Sequence, residues 1–338
     1  MYRLILFVIL LFIISCQKDD NIVEETDNIE YEVECIWDKS PHCAFTSIVK
    51  YNNKYYCCFR EAESHIPNKS ENYGSIRLLE STNGERWISV GLVKDIEYDL
   101  RDPYFSVTPD NKLMLICGSS SLGSDNILSF CHTRAYVYTP DIINSSDIKH
   151  HIISINNDDK YYSYWVWKIK WHKNIAYGVA YNNANYPLLV RSYDGVNFDI
   201  ITQLGVYGNE ASIEFVGDNM IVVCRSINYE ENGFIGNSLY PYLEWNWNHL
   251  NHFIQSPEII NIDDNLILAG RGARGTTVYS IDCDTVTPIV SVRSDGDSGY
   301  PGMLCVDDKL WMSYYATPTT TKIYMAKFSV KDILQINE

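Results

Sequence analysis

The residues best suited to chemistry in this chain stand at the ends of short apolar runs. Tyr300 lies in Gly299-Tyr300-Pro301, where a polar turn (Ser294 to Ser298) hands over to Met303-Leu304-Cys305. Glu210 follows Asn209 and opens the run Ala211 to Val216, and the next run, Met220 to Cys224, ends at Arg225. Asp102 follows Arg101 just before Tyr104 to Val107, and Arg271 comes just after Leu266 to Ala269. A further polar group, Arg60-Glu61-Ala62-Glu63-Ser64-His65, follows Tyr55 to Phe59. A guanidinium fork binds a carboxylate at two points, which lysine cannot do. A carboxylate beside a tyrosine can take the phenol proton and free a nucleophile. A second carboxylic acid, or a histidine, can protonate a departing oxygen. Together these types are the equipment for splitting a glycosidic bond.

Such residues cooperate only if the runs that carry them are equivalent elements. Six times the sequence places two apolar, aromatic-rich runs around a polar turn. The turns are Asn52-Asn53-Lys54, Pro109-Asp110-Asn111-Lys112, His172-Lys173-Asn174, Gly217-Asp218-Asn219, Asp263-Asp264-Asn265 and Asp307-Asp308-Lys309. Each unit reads as a β-hairpin. The turns recur at roughly 45 to 60 residues, the spacing of four-stranded blades with variable loops. This predicts an all-β, six-bladed β-propeller over residues 32–338. An irregular sandwich is the competing architecture, and a five-bladed hydrolase is disfavoured by the hairpin count. In an antiparallel hairpin, the start of the first strand and the end of the second share one end. Hairpins nearest the axis would therefore gather Tyr300, Glu210, Asp102, Arg225, Arg271, Arg60, Arg101, Glu61 and His65 around one mouth of the central channel. Trp165 and Trp167 would line it.

Bulk properties agree with a β-rich chain. It has 26 tyrosines and 8 tryptophans, and only 21% of its 338 residues are charged. The net charge of -16 opposes binding to nucleic acid, whose phosphates would be repelled. No Cys or His spacing suits zinc, so neither a metal nor an organic cofactor is expected. Cys35 and Cys43 are close enough in sequence to bridge in an exported protein. Residues 1–15 read as a leader: Arg3 precedes the unbroken apolar run Leu4 to Ile14, too short to span a bilayer. Its end, Ser15-Cys16, resembles a bacterial lipobox, and Lys18-Asp19-Asp20 resembles the acidic export tag of surface lipoproteins. That resemblance implies lipidation at Cys16 and anchoring in the outer membrane, facing outward. Residues 16–31 read as a flexible acidic tether, and a monomer is expected.

Two further marks, Ser81-Thr82-Asn83-Gly84-Glu85-Arg86-Trp87 and Ser192-Tyr193-Asp194-Gly195-Val196-Asn197-Phe198, resemble shortened Asp-boxes. With Gly299-Tyr300-Pro301 and Asn209-Glu210, they make the stretch from about Cys43 to Lys327 similar to the sialidase (neuraminidase) superfamily. The resemblance implies a six-bladed propeller with Tyr300 as nucleophile, Glu210 as the base that activates it, and Arg225 and Arg271 as carboxylate-binding arginines. It implies an exo-acting glycoside hydrolase that releases a terminal acidic sugar from glycans at the cell surface. The alternative is a catalytically inactive glycan-binding propeller. The chain departs from the family pattern at blade one: His42-Cys43-Ala44-Phe45 stands where an Arg-Ile-Pro segment would supply a first arginine. Arg60 and Arg101 are the candidates to replace it. For the acid, the sequence offers Glu61, Glu63, His65 and Asp102.

Overall fold

Runs rich in β-branched and aromatic residues pair through short polar turns, and the pairing builds six sheets around one axis. The computed structural model describes residues 29–138, 149–228, 231–282, 284–292, 294 and 296–335. The expected leader, Cys16 and most of the tether lie outside the described residues. The N-terminal strand is β1 (Tyr31–Trp37). Blade one is β2 (His42–Tyr51), β3 (Lys54–Ala62), β4 (Ser75–Ser81) and β5 (Ile88–Val93). Blade two is β6 (Asp99–Val107), β7 (Leu113–Leu122), β8 (Leu128–Tyr138) and β9 (His150–Ile152). Blade three is β11 (Trp165–His172), β12 (Ile175–Tyr181), β13 (Leu188–Ser192) and β14 (Asn197–Gln203), with a short parallel edge, β10 (Ser154–Ile155). Blade four is β15 (Gly208–Val216), β16 (Asn219–Ser226), β17 (Phe234–Leu239) and β18 (Asn246–His249). Blade five is β19 (Gln255–Ile262), β20 (Asn265–Gly272), β21 (Gly275–Asp282) and β22 (Thr285–Ser291). Blade six is β23 (Ser298–Val306), β24 (Lys309–Ala316) and β25 (Lys322–Ser329), completed by β1, which runs antiparallel to β25. The chain is thus a six-bladed β-propeller whose ring is closed by its first strand. A short helix, α1 (Val330–Gln335), follows β25.

All six inner hairpins fall where the sequence places them. Several close on two residues of left-handed backbone, such as Asn52-Asn53, Lys173-Asn174 and Asp263-Asp264. Such loops match the right-handed twist of the strands they join. Each blade packs flat on the next through an apolar layer. Leu78, Leu100 and Phe105 lie between blades one and two, and Ile267, Val278, Met312 and Phe328 between blades five and six. Full burial of side chains this size stabilises by about 1.5–3 kcal/mol each. The Cys35 and Cys43 thiols are free.

The Ser81–Trp87 and Ser192–Phe198 segments form the turns from β4 to β5 in blade one and from β13 to β14 in blade three. In each, the serine Oγ accepts the glycine N–H at 2.8 Å. Asn83 and Asp194 then accept two further backbone N–H groups apiece. Lower in the channel, Lys168 pairs with Glu258 and Lys170 with Glu214, both at 2.5 Å, so its interior is filled by ion pairs.

One irregularity recurs in every blade. The innermost strand slips register near its start: between Ala44 and Ser47, Arg101 and Tyr104, Val166 and Ile169, Asn209 and Ala211, Gln255 and Glu258, and Gly299 and Gly302. A bulge re-aims the side chain it contains. Here the bulges hold Phe45, Asp102, Trp167, Glu210, Ser256 and Tyr300, and all but Trp167 have positive φ.

Candidate active site

The bulges turn their side chains toward one another at the mouth. Tyr300, at φ 49°, donates its phenol proton to Glu210 Oε1 at 2.7 Å. Its N–H donates to Ser256 Oγ at 3.0 Å, and its carbonyl accepts from Thr46 Oγ1 at 2.8 Å. The ring is walled by Phe45 at 4.5 Å, with Trp167 and Tyr315 at 6.1 Å. Gly299 is required beside it: at φ 146°, a Cβ there would crowd Arg271 Nε and Ser256 Oγ at 3.2 and 3.3 Å. Burial, then the charges of Glu210 and Asp102, push the Tyr300 phenol well above its ordinary range. The phenol therefore ionises only as its proton passes to a base in contact with it.

Glu210 is the carboxylate in contact with that phenol. Its Oε1 also accepts from Arg225 Nη1 at 2.9 Å, and its Oε2 accepts the Ser256 N–H at 3.2 Å. Asp102 sits across the mouth, buried, its Oδ2 accepting from Trp167 Nε1 at 3.0 Å. Burial and the negative charge of Glu210 raise its carboxyl to about 6, although Arg101, the Trp167 bond and Arg60 pull the other way. The arrangement joins a neutral phenol to an ionisable acceptor and sets beside them a carboxyl held partly protonated near neutrality.

Arg271 reaches the same place from the end of β20. It donates to the Ser298 carbonyl at 2.6 Å and to Tyr315 Oη at 2.5 Å, and pairs with Asp297 at 2.8 Å. Its guanidinium lies 6.0 Å from the Tyr300 ring centre. Arg101 lies over the Phe45 ring at 5.4 Å and donates to the His65 carbonyl at 3.2 Å. His65 is at the rim, its ring edge-on to Phe45 at 5.6 Å.

Two expected residues do not join this group. Arg60 is completely buried, its guanidinium bonded to Asp99 at 2.6 Å and to the Ser64 carbonyl at 2.9 Å. It anchors the loop after β3, and its partner Asp99 is also approached by Arg101 Nε at 3.9 Å. Glu61 is held by both oxygens to Arg77 on the neighbouring strand, at 2.8 and 3.1 Å. Phe45 occupies the blade-one bulge, so that blade brings an apolar wall to the mouth. Ser256, Tyr181, Tyr315 and Asp297 also belong to the site; they stand at hairpin ends that the sequence directs to the mouth, without marking a role for them. Tyr181 is buried where the charges of Glu210 and Asp102 both raise its phenol, after burial itself. One sequence signal for Ser256 exists: Asp102-Pro103, Ser256-Pro257 and Tyr300-Pro301 place a proline at the same step of three hairpins.

A cleft of about 600 Å³ opens on the opposite face, lined by Thr108, Trp171, Tyr193 and Asp194. It lies at the hairpin turns and includes none of the residues above. The mouth itself leads into a much narrower cavity lined by Phe45, Asp102, Trp167, Lys168 and Tyr300. Among the described residues, no group of three or more His, Cys, Asp or Glu side chains is placed to hold a metal ion.

No family model and no curated protein matches the sequence. Solved structures match the fold. A Dyadobacter fermentans protein of unknown function aligns over 90% of this chain and 99% of its own, with TM-score 0.74 and 16% identity. Trypanosoma rangeli sialidase aligns over 88% of this chain with TM-score 0.64 and 11% identity. The present chain spans only about half of that enzyme, 56% of its length. An α-L-arabinofuranosidase from Fusarium graminearum aligns over 90% of this chain and 97% of its own, with TM-score 0.57 and 12% identity. At these identities the likeness is one of fold, and the neighbours include glycoside hydrolase propellers.

Proposed function

We propose that the protein is a retaining, exo-acting glycoside hydrolase of the sialidase type, releasing a terminal sugar acid. The single observation that carries this reading is the 2.7 Å hydrogen bond from the Tyr300 phenol to Glu210, a carboxylate fixed on its other sides by Arg225 and the Ser256 N–H. In this reading Glu210 takes the phenol proton as Tyr300 Oη attacks the anomeric carbon, and Asp102 protonates the leaving oxygen. A phenol suits an anomeric carbon that bears a carboxylate, because a neutral attacking group avoids like-charge repulsion. Arg271, Arg225 and Arg101 supply the cations for that carboxylate. Water, deprotonated by Asp102, then displaces the sugar from Tyr300 with retained configuration, while Glu210 returns its proton to the departing Tyr300 Oη.

The test is a screen of purified protein against aryl glycosides of sialic acid, related keto-sugar acids and uronides, followed by trapping with a fluorinated analogue of the active sugar. The expected result is turnover, and a covalent adduct on the peptide containing Tyr300. An adduct on another residue sinks the assignment.

The second reading is an inactive propeller that binds glycans. Arg271 favours it, since that cation is already engaged by Asp297. Failure of every substrate in the screen, with glycan binding retained, would select it. In either case we place the protein on the outer membrane, anchored through Cys16. That rests on the apolar run Leu4 to Ile14 ending in Ser15-Cys16. Labelling of cells with a radioactive fatty acid should mark the wild type and leave Cys16→Ala unmarked.

A further inference from the structure

We infer that the rim of blades three and four forms a subsite for a neutral sugar, the unit that the leaving glycan presents beside the cleaved bond. The inference rests on the catalytic reading above and on placement. The departing oxygen takes its proton from Asp102 on blade two, while Glu210 on blade four holds Tyr300 from the other side. Blade three lies between them, so the leaving group crosses its end of the mouth.

Two loops form that edge. One runs from the end of β12 over residues 182–187, the other from the end of β14 over 204–207. Both open toward the mouth, since Tyr181 pairs with Trp165 and Gln203 with Leu188. Asn209, adjacent to Glu210 and in register with Arg225, donates from Nδ2 to Asn183 Oδ1 at 2.9 Å. The Asn209 Oδ1 is buried and has no partner among the described residues. The rings of Tyr186 and Tyr207 lie 4.2 Å apart, and Tyr207 is 56% exposed.

The chemistry of this edge is that of carbohydrate recognition. Aromatic faces receive the C–H face of a sugar ring, and carboxamides exchange hydrogen bonds with hydroxyls. No residue from 182 to 187 or from 204 to 209 is charged, so the unit recognised is neutral. Both loops are already held in shape. Asn182 Oδ1 accepts the N–H groups of Ala184 and Asn185, and the Tyr207 carbonyl accepts the Ile227 N–H. A preformed edge needs little ordering on binding.

The experiment compares N-acetylneuraminyl-lactose, which reaches the edge, with N-acetylneuraminyl fluoride, which does not. In Tyr207→Ala and Asn183→Ala, the ratio of kcat/KM for lactose-linked over fluoride substrate should fall on the order of tenfold. An unchanged ratio overturns the inference. A second arm does not need turnover: lactose and cellobiose are titrated into the Tyr300→Phe protein and followed by NMR. Binding that is lost on adding Tyr207→Ala supports the subsite. No binding, or binding indifferent to Tyr207, overturns it. If the wild type cleaves neither substrate, the catalytic reading fails alone, and this second arm decides the subsite.

Discussion

Replacing Asp102 by asparagine isolates the acid of the proposed mechanism. The substitution keeps size and leaves an oxygen to accept from Trp167 Nε1, so the bulge should survive. What it removes is a proton that burial and Glu210 hold in place up to about pH 6. With that midpoint, the carboxyl is ~90% protonated at pH 5, ~10% at pH 7 and ~1% at pH 8. Because the raised pKa favours the neutral acid, the catalytic form is lost as pH rises through 6. Wild-type kcat/KM for a substrate with a sugar leaving group should therefore fall about tenfold per pH unit above that point. General acid assistance contributes typically ~10²–10⁴-fold, so Asp102→Asn should lose about that factor on such a substrate and lose its alkaline limb. A nitrophenyl glycoside, whose leaving group needs no proton, should lose less than about tenfold in its first chemical step. The assay is the pH dependence of kcat/KM for both substrates in both proteins, with burst kinetics to separate the two steps. Equal loss on the two leaving groups, or a wild-type profile with no limb near pH 6, refutes the assignment of Asp102 as acid.

Other perturbations test neighbouring parts. Tyr300→Phe should reduce kcat at least about 10³-fold, corresponding to about 4 kcal/mol of barrier. Its unfolding free energy should change by only about 1–2 kcal/mol, because Glu210 keeps Arg225 and the Ser256 N–H. Arg271→Lys replaces a fork that reaches Ser298, Tyr315 and Asp297 by a point charge, and KM for an acidic sugar should rise on the order of tenfold. Arg60→Met takes from the fully buried Asp99 its hydrogen-bonded cation and leaves Arg101 Nε at 3.9 Å. Urea unfolding should show a loss of about 3–5 kcal/mol, and a loss below 1 kcal/mol would mean the pair is not the anchor described above.

The hairpins were legible in the sequence because turn chemistry is local. Asn52-Asn53 and Asp263-Asp264 announce left-handed loops by themselves, and the apolar runs beside them need only pair with their neighbours. The partner of β1 was not legible. Glu32 to Trp37 reads as a strand, but nothing in it names β25, nearly 300 residues away, as its mate. Tyr300, Glu210, Arg225 and Arg271 were legible as hairpin ends. Arg60 was misread for the same reason that they were found. Strand position fixes which end of the blade a residue occupies, while its direction depends on a partner. Asp99, supplied by the next blade, draws Arg60 inward.

The bulges carry the strongest physical argument that this mouth is a functional site. Left-handed backbone is readily adopted by asparagine and aspartate, as in the turns, but it costs a phenylalanine, glutamate or tyrosine about 1–3 kcal/mol each. Phe45, Glu210, Ser256 and Tyr300 all carry it, and all at the same step of an innermost strand. Folding alone does not demand the slip in most blades: the apolar clusters of blades two and four contain none of their bulge side chains, and only Phe45, with Tyr300 against it, packs into a cluster, that of blades one and six. What the slip achieves is visible in the contacts. It points the Ser256 N–H at Glu210, its Oγ at the Tyr300 backbone, and the Tyr300 phenol at Glu210. Residues from blades four, five and six meet in one chain of hydrogen bonds that no regular strand would make. A site organised at that cost is preorganised for its ligand. Ser256→Gly keeps the left-handed backbone and removes the Oγ that accepts the Tyr300 N–H, so it should weaken ligand binding while leaving the fold unharmed.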